Sequence, residues 1–281
     1  MSYYKIISLM PKASAFDPDA LAFITATGIT DNTQKSAINT LVLDLKGYSI
    51  WTKMQAIYPF VGGTASTHKW NLINPLDTDA AFRLTFSGGW THSATGAKPN
   101  GTNAFANTFL VPDFHLLTNP FSLHYYSRTS TAQTGVGDAN GCVIGARSNN
   151  NGFSNNAMSL YVKTNPGNFS VIFSTFTGVT ANNYARYVEA IGTGFYSGVM
   201  TVLNSKIYKN AVNLTTTNLS YSRATPNRVV YLGALNNKGT SAEYSLRESA
   251  FAGIAESMSD TEIANLYTAV QAFNTTLSRQ I

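Results

Sequence analysis

Four pairs of carboxylates lie close enough along the chain to act together: Asp17 with Asp19, Asp77 with Asp79, Glu243 with Glu248, and Asp260 with Glu262. Facing carboxylates roughly 5–10 Å apart are what glycoside hydrolysis requires. Asp17/Asp19 and Asp260/Glu262 sit at helix starts, where the helix dipole favours negative charge without any catalytic duty. Glu243 and Glu248, read on one strand, differ by an odd number and so point to opposite faces. The E-x-D-x-x-E arrangement of sandwich glycosidases is missing, and the sequence argues for a protein that makes contacts and is not an enzyme. Asp77, Asp79 and Asp138, with Asn side chains and loop carbonyls, can furnish oxygen ligands for calcium, but they lack EF-hand spacing, and turn formation accounts for them. His68, His92, His115 and His124 show no zinc-binding spacing. Gly135-Val-Gly137 with Gly141 precedes no helix, so a phosphate there would meet no helix N-terminus. No cofactor is expected.

The aromatic residues are the remaining lead. Trp70, Trp90, Tyr184, Tyr187 and Tyr196 fall in or beside Gly- and Asn-rich segments. An aromatic face flanked by amides can hold a sugar ring, and these five are the candidate carbohydrate contacts. Core packing is the competing account for each of them.

The elements that must position these residues divide the chain at about residue 60. Asp17 caps a helix over 18–27 with Pro18 in its first turn, Phe16 and Leu21 are spaced as a hydrophobic staple, and Gly28 stops it. Ile38, Leu41, Val42 and Leu45 form the apolar stripe of a second helix that needs a partner. Ser49 is read as capping a third, short helix through Trp51 and Met54, ended at Tyr58-Pro59. From about 64 to 255 the pattern turns to period two, with strands at 82–86, 121–126, 158–162, 169–175, 199–203, 207–208, 229–232 and 244–254, and polar loops at 129–141 and 149–156. Eight or more strands without intervening helices predict a mainly β, antiparallel sandwich or jelly roll. A capping box, Ser259 with Glu262, opens an amphipathic helix over 260–277. Its stripe is Ile263, Leu266, Tyr267, Val270, Phe273 and Leu277.

Composition agrees. The chain is 44% hydrophobic and 12% charged, and its 16 Phe, 15 Tyr and 33 Thr favour strands. The net charge of +5 is scattered, with no run of three basic residues, so nucleic acid is not an expected partner. The apolar run 6–10 is too short for a secretory signal, and no stretch approaches a membrane span. Cys142, the single cysteine, lies in an apolar stretch and reads as a buried structural thiol.

Several stretches carry a family resemblance. Ile24-Thr-Ala-Thr-Gly-Ile-Thr-Asp31, the run from Trp51 through Gly62-Gly63-Thr64, His68-Lys69, and Ala80-Ala-Phe-Arg through Gly88-Gly-Trp-Thr-His92 resemble a family of tailed-bacteriophage virion proteins. So do Val230-Tyr-Leu-Gly-Ala234, Phe251-Ala-Gly-Ile-Ala-Glu256 and the segment from Leu266 to Arg279. The resemblance implies a concanavalin A-like (laminin-G-like) jelly roll, localisation in the virion as a fibre, tail or capsid-surface component, and contact with host-surface polysaccharide. It also implies other virion proteins and a homo-oligomer as partners. It brings no catalytic motif. On this reading residues 1–60 form a helical attachment segment and 61–281 the sandwich closed by its helix.

Overall fold

The computed structural model describes residues 16–116, 120–130, 141–150, 154–162, 170–176, 184–188, 191–201, 204–215 and 225–281. Its helices are α1 (Pro18–Thr27), α2 (Asn32–Gly47), α3 (Ala65–His68), α4 (Pro112–His115) and α5 (Asp260–Thr276). The remainder is a sandwich of two sheets.

In the first sheet the strands run in the order Val212–Asn213, Ser205–Lys209, Gly194–Met200, Phe121–Ser127, Ser249–Glu256, Gly96–Pro99 and Trp90–Ser93. Met54–Tyr58 also pairs along Ser249–Glu256. The second sheet runs Tyr184–Val188, Ser170–Phe176, Ser154–Tyr161, Cys142–Asn150, Tyr231–Leu232, Phe105–Asn107 and Thr85–Ser87. Leu235–Asn237 joins Cys142–Asn150 in parallel, a departure from the all-antiparallel expectation. The result is a mainly β, jelly-roll-like sandwich.

Strand Phe121–Ser127 shows how the layers stack. Phe121, Leu123 and Tyr125 face the second sheet among Ile144, Leu160 and Ile254. Tyr126, pointing the other way, joins Leu41 of α2 and Leu266 and Val270 of α5. All seven residues of the strand are buried. The alternation Ser122, His124, Tyr126 therefore marks a face roofed by helices, not a wet one. The polar groups under that roof are paired. Ser122 Oγ donates to the Glu256 carbonyl (2.8 Å) and lies 2.9 Å from His124 Nε2, while His124 Nδ1 lies 2.9 Å from Ser197 Oγ. With its proton committed to Glu256, Ser122 accepts from His124 Nε2–H, and Nδ1 accepts from Ser197. Burial holds the His124 pKa down to about 3, so the ring is neutral.

The helix ends follow the sequence. Asp17 accepts from the Asp19 N–H, Gly28 (φ 68°) closes α1, and both bonds of the Ser259/Glu262 capping box are made. Phe16 packs on the helical layer's core, and Leu21, its expected staple partner, is half exposed.

Two expectations about the first sixty residues are corrected. Residues 54–58 are a strand, preceded by one 3₁₀ turn at Trp51–Lys53, because pairing with Ser249–Glu256 outweighs the weak local preference for helix. Residue 60 is accordingly no boundary, and the apolar stripe of α2 is already satisfied within the chain. Ala37, Ile38, Leu41, Val42 and Leu45 are buried in one cluster with Ile263, Leu266, Val270 and Phe273 of α5. Arg279, just beyond α5, locks this arrangement. Its guanidinium donates to the carbonyls of Pro59 (2.6 Å), Phe60 (2.7 Å) and Ala250 (2.8 Å) and to Asn274 Oδ1 (2.8 Å). Burial lowers its pKa to about 9, so it remains charged at neutral pH, held by carbonyl dipoles.

Leu41→Ala should therefore lower unfolding stability by about 2–5 kcal/mol in denaturant titrations, the range for a buried large-to-small change. A chain truncated before residue 61 should show no cooperative thermal transition. A sharp transition in that fragment would restore the independent sandwich.

Candidate ligand-binding face

The five aromatic candidates are not brought together. Tyr196 is fully buried between the sheets, its hydroxyl donating to the Ile191 carbonyl (2.8 Å), which corrects its reading as an exposed contact. Its partner strand places large side chains inward at that register, so the ring serves the core. Trp90 is half buried at the lateral edge, its indole N–H donating to the carbonyls of Ser87 (3.1 Å) and Phe105 (3.3 Å). Gly233 (φ 78°) makes room for that indole: a Cβ there would come within 2.9 Å of it. Trp70 packs against the helical layer, with Lys69 Nζ 4.8 Å above its ring. Tyr184 and Tyr187 lie on the edge strand at the opposite side of the second sheet, where Tyr187 shares the inward-facing side with Ala185.

Of the calcium candidates, Asp77 and Asp79 meet at Arg83. Asp77 pairs with Lys69 (2.6 Å) and Arg83 (3.3 Å), and Asp79 with Arg83 (2.9 Å), which answers their charge without a metal. Lys69 holds the Asp77 carboxyl below its ordinary range. Asp138 lies outside the described residues. Among the described residues no three His, Cys, Asp or Glu side chains converge. Glu243 and Glu248 do not share a strand: Glu243 adopts φ 52°, and Glu248 accepts from Thr95 Oγ1 (2.5 Å) beside Arg128. Cys142 is buried as expected, and burial pushes its thiol pKa well up.

A different set of rings does converge, on the outer face of the second sheet. Ile144, Ala146, Ala106 and Leu232 point into the core between the sheets. Strand alternation therefore turns Gly145, Arg147, Phe105, Asn107 and Tyr231 outward. Tyr231 stands opposite Asn107 on one side and Gly145 on the other. The rings of Phe105 and Tyr231 stack, with centroids 4.5 Å apart and planes 27° from parallel. Both are half buried. Tyr244, also half buried, has its hydroxyl 2.8 Å from Ser241 Oγ and stands near Tyr231, whose own hydroxyl pKa is raised first by burial and then by Tyr244. Gly145 keeps the floor beside Tyr231 free of a side chain, since a Cβ there would strike Ser159 at 2.6 Å. Arg147, two residues along, adds a cation on the same face, opposite Asn237.

This set was missed for identifiable reasons. Phe105 follows Asn100-Gly-Thr-Asn103 and precedes Asn107, a polar context like that of the other aromatic candidates. Residues 229–232 were read as a strand, but sequence alone did not fix which of Tyr231 and Leu232 faces out, and a one-residue change reverses both.

No family model matches the sequence, and no curated protein matches it. Among solved structures, a mutant Trypanosoma rangeli sialidase displaying trans-sialidase activity superposes with a TM-score of 0.53 at 11% identity. That match covers 84% of this chain and 39% of the sialidase. The same organism's sialidase in complex with a difluorinated keto-deoxy-nononic acid gives 0.50 at 10% identity, covering 83% and 39%. Domain 4 of an extracellular arabinanase from Geobacillus stearothermophilus, in complex with arabinotriose, gives 0.48 at 13% identity, covering 76% and 98%. The chain thus spans about two fifths of the sialidases' length, and the likeness is one of fold. No helix among the described residues is long and apolar enough to cross a membrane.

Since their charge is already answered by cations, Asp77 and Asp79 should hold no calcium. Adding millimolar calcium or a chelator should leave the melting temperature of the full chain unchanged, and a calcium-dependent rise abolished by Asp77→Asn would show a site there.

Proposed function

We propose that this chain is a glycan-contacting β-sandwich of a tailed-phage particle, a structural subunit that binds polysaccharide and does not cleave it. The observation that carries the binding reading is the stacked Phe105–Tyr231 pair with Tyr244, on the sheet face that no long helix among the described residues covers. Partly exposed rings on a rigid sheet offer flat apolar area at little entropic cost, and Asn107, Arg147 and Ser241 stand beside them to fix hydroxyl groups.

Binding without hydrolysis is supported by where the acids at helix ends and in surface pairs lie, Glu243 beside Tyr244 being the exception. Asp17 and Asp19 meet Lys46, Asp260 meets Lys206, and Glu262 meets Lys53. These carboxylates serve helix ends and surface pairs, away from the aromatic face. The virion reading rests on the family resemblance. Its matching residues form the framework: the strands Met54–Tyr58 and Ser249–Glu256, the positive-φ turn at Gly62-Gly63, the stripe of α5, and Arg279. Fibre, tail or capsid-surface placement, and assembly with copies of itself or other virion proteins, follow from that resemblance.

An array of capsular and cell-wall polysaccharides should show binding that Tyr231→Ala weakens about tenfold or more, equivalent to about 1.4 kcal/mol, with little change in melting temperature. Trp90→Ala should instead lower stability, by up to about 3 kcal/mol, through loss of its packing and its two carbonyl bonds. Blank arrays, or binding indifferent to Tyr231, would contradict the assignment.

A further inference from the structure

We propose that His68 and His92 form an acid-released latch that fastens the edge strand Trp90–Ser93 to the chain segment gripped by Arg279. The inference stands apart from the ligand face and from any glycan.

His68 ends α3, which is fixed at its start by reciprocal bonds between Thr64 and Thr67. Its ring is buried against Phe60 (centroids 5.5 Å) and His92 (5.0 Å), and the two imidazoles meet Nδ1 to Nδ1 at 3.0 Å. At that distance only one proton fits between them, so one ring donates and the other accepts. His68 Nε2 is buried and has no hydrogen-bond partner. An N–H at that position would be a desolvated donor without an acceptor, whereas a bare lone pair is favoured by the Arg279 charge nearby. His68 therefore donates from Nδ1, and His92 accepts at Nδ1.

Acid has no good place to put another proton. Protonating His92 Nδ1 sets two N–H groups against each other. Moving the His68 proton to Nε2 leaves a donor unpaired in a dry site next to a cation. The charged groups around the pair reinforce this: Arg279 faces His68, with Arg128 and Glu248 beyond it, and Glu248 is itself engaged by Thr95 and Arg128. Lys69, the next residue after His68, is turned to Asp77. Burial, then His92, then Arg279 hold His68 down to about 3, and burial lowers His92 as well.

The sign follows. Both rings have closed-state values below the ordinary histidine value of about 6.5, so an open state takes up protons below that pH and the closed state does not. The latch is fully closed above about 6.5 and loses stability progressively as pH falls toward 3. His92 is the half-exposed partner and can swing outward. Its strand lies at the sheet edge and is held by a single four-residue ladder, in which Trp90 pairs with Pro99, a residue without an N–H. His92 also packs on Phe86 (4.6 Å) and stacks on Trp90 (6.2 Å), so its departure loosens the edge.

Hydrogen exchange by mass spectrometry on the full chain, corrected for intrinsic rates, tests this. The opening constant of residues 90–99 should rise about tenfold per pH unit for each proton taken up below about pH 6, while 121–127 stays protected. His92→Phe, which keeps the ring contacts and removes the acceptor, should take away the His92 proton and lower that slope by up to about one decade per pH unit. Opening of 90–99 that tracks 121–127 at every pH, or an acid response of unchanged slope in His92→Phe, would overturn the latch. Should that variant fail to fold, the Trp90 indole N–H resonance of the unmodified protein decides: a shift between pH 7 and 5 supports the latch, and an unchanged signal down to pH 4 overturns it.

Discussion

Burial of one sheet on both faces is the constraint from which the rest follows. Strand Phe121–Ser127 and its neighbours are packed between the second sheet and the helical layer of α1, α2 and α5, so their polar groups are driven to internal partners, and on that strand all the polar side chains but Ser127 have one. The Ser122–His124–Ser197 chain and the Arg279 clasp are the consequences, and each uses uncharged or carbonyl partners where a carboxylate could have served. A sheet enclosed in this way has no face left for a ligand. The outer side of the second sheet, where Phe105, Tyr231 and Tyr244 stand, is the face we propose for contact with an extended partner.

The acidic residues fit the same picture. Asp17 and Asp31 cap helices, Glu262 completes the capping box of α5, Asp77 and Asp79 neutralise Lys69 and Arg83, and Asp260 accepts from both Lys206 and Tyr208. Such charges steady the ends of elements. Exposed pairs of this kind contribute little individually, so their arrangement describes geometry more than stability.

Much of the fold could be read from the chain because its signals are local. The Ser259/Glu262 box, the stripe Ile38, Leu41, Val42, Leu45, and the alternation beginning at Phe121 each announce an element within a few residues. What could not be read depends on distant partners. Residues 54–58 become a strand by pairing with Ser249–Glu256, nearly two hundred positions away in the sequence, and the described residues from 16 to 60 share that core. The candidate face was less legible for the same reason. Phe105 meets Tyr231 only after two sheet pairings are made, and Tyr196 looked exposed from its Gly-rich surroundings although the second sheet covers it. Local composition identifies aromatic residues but does not say which side of a strand they occupy.

The central claim is that the aromatic patch of Phe105, Tyr231 and Tyr244 on the outer side of the second sheet is where this protein touches its ligand. Chemical-shift mapping of the labelled chain with a bound host oligosaccharide addresses it most directly. The account predicts perturbations concentrated at Phe105, Asn107, Tyr231 and Tyr244 with the helical layer silent, and perturbations centred on α1, α2 or α5 would contradict it.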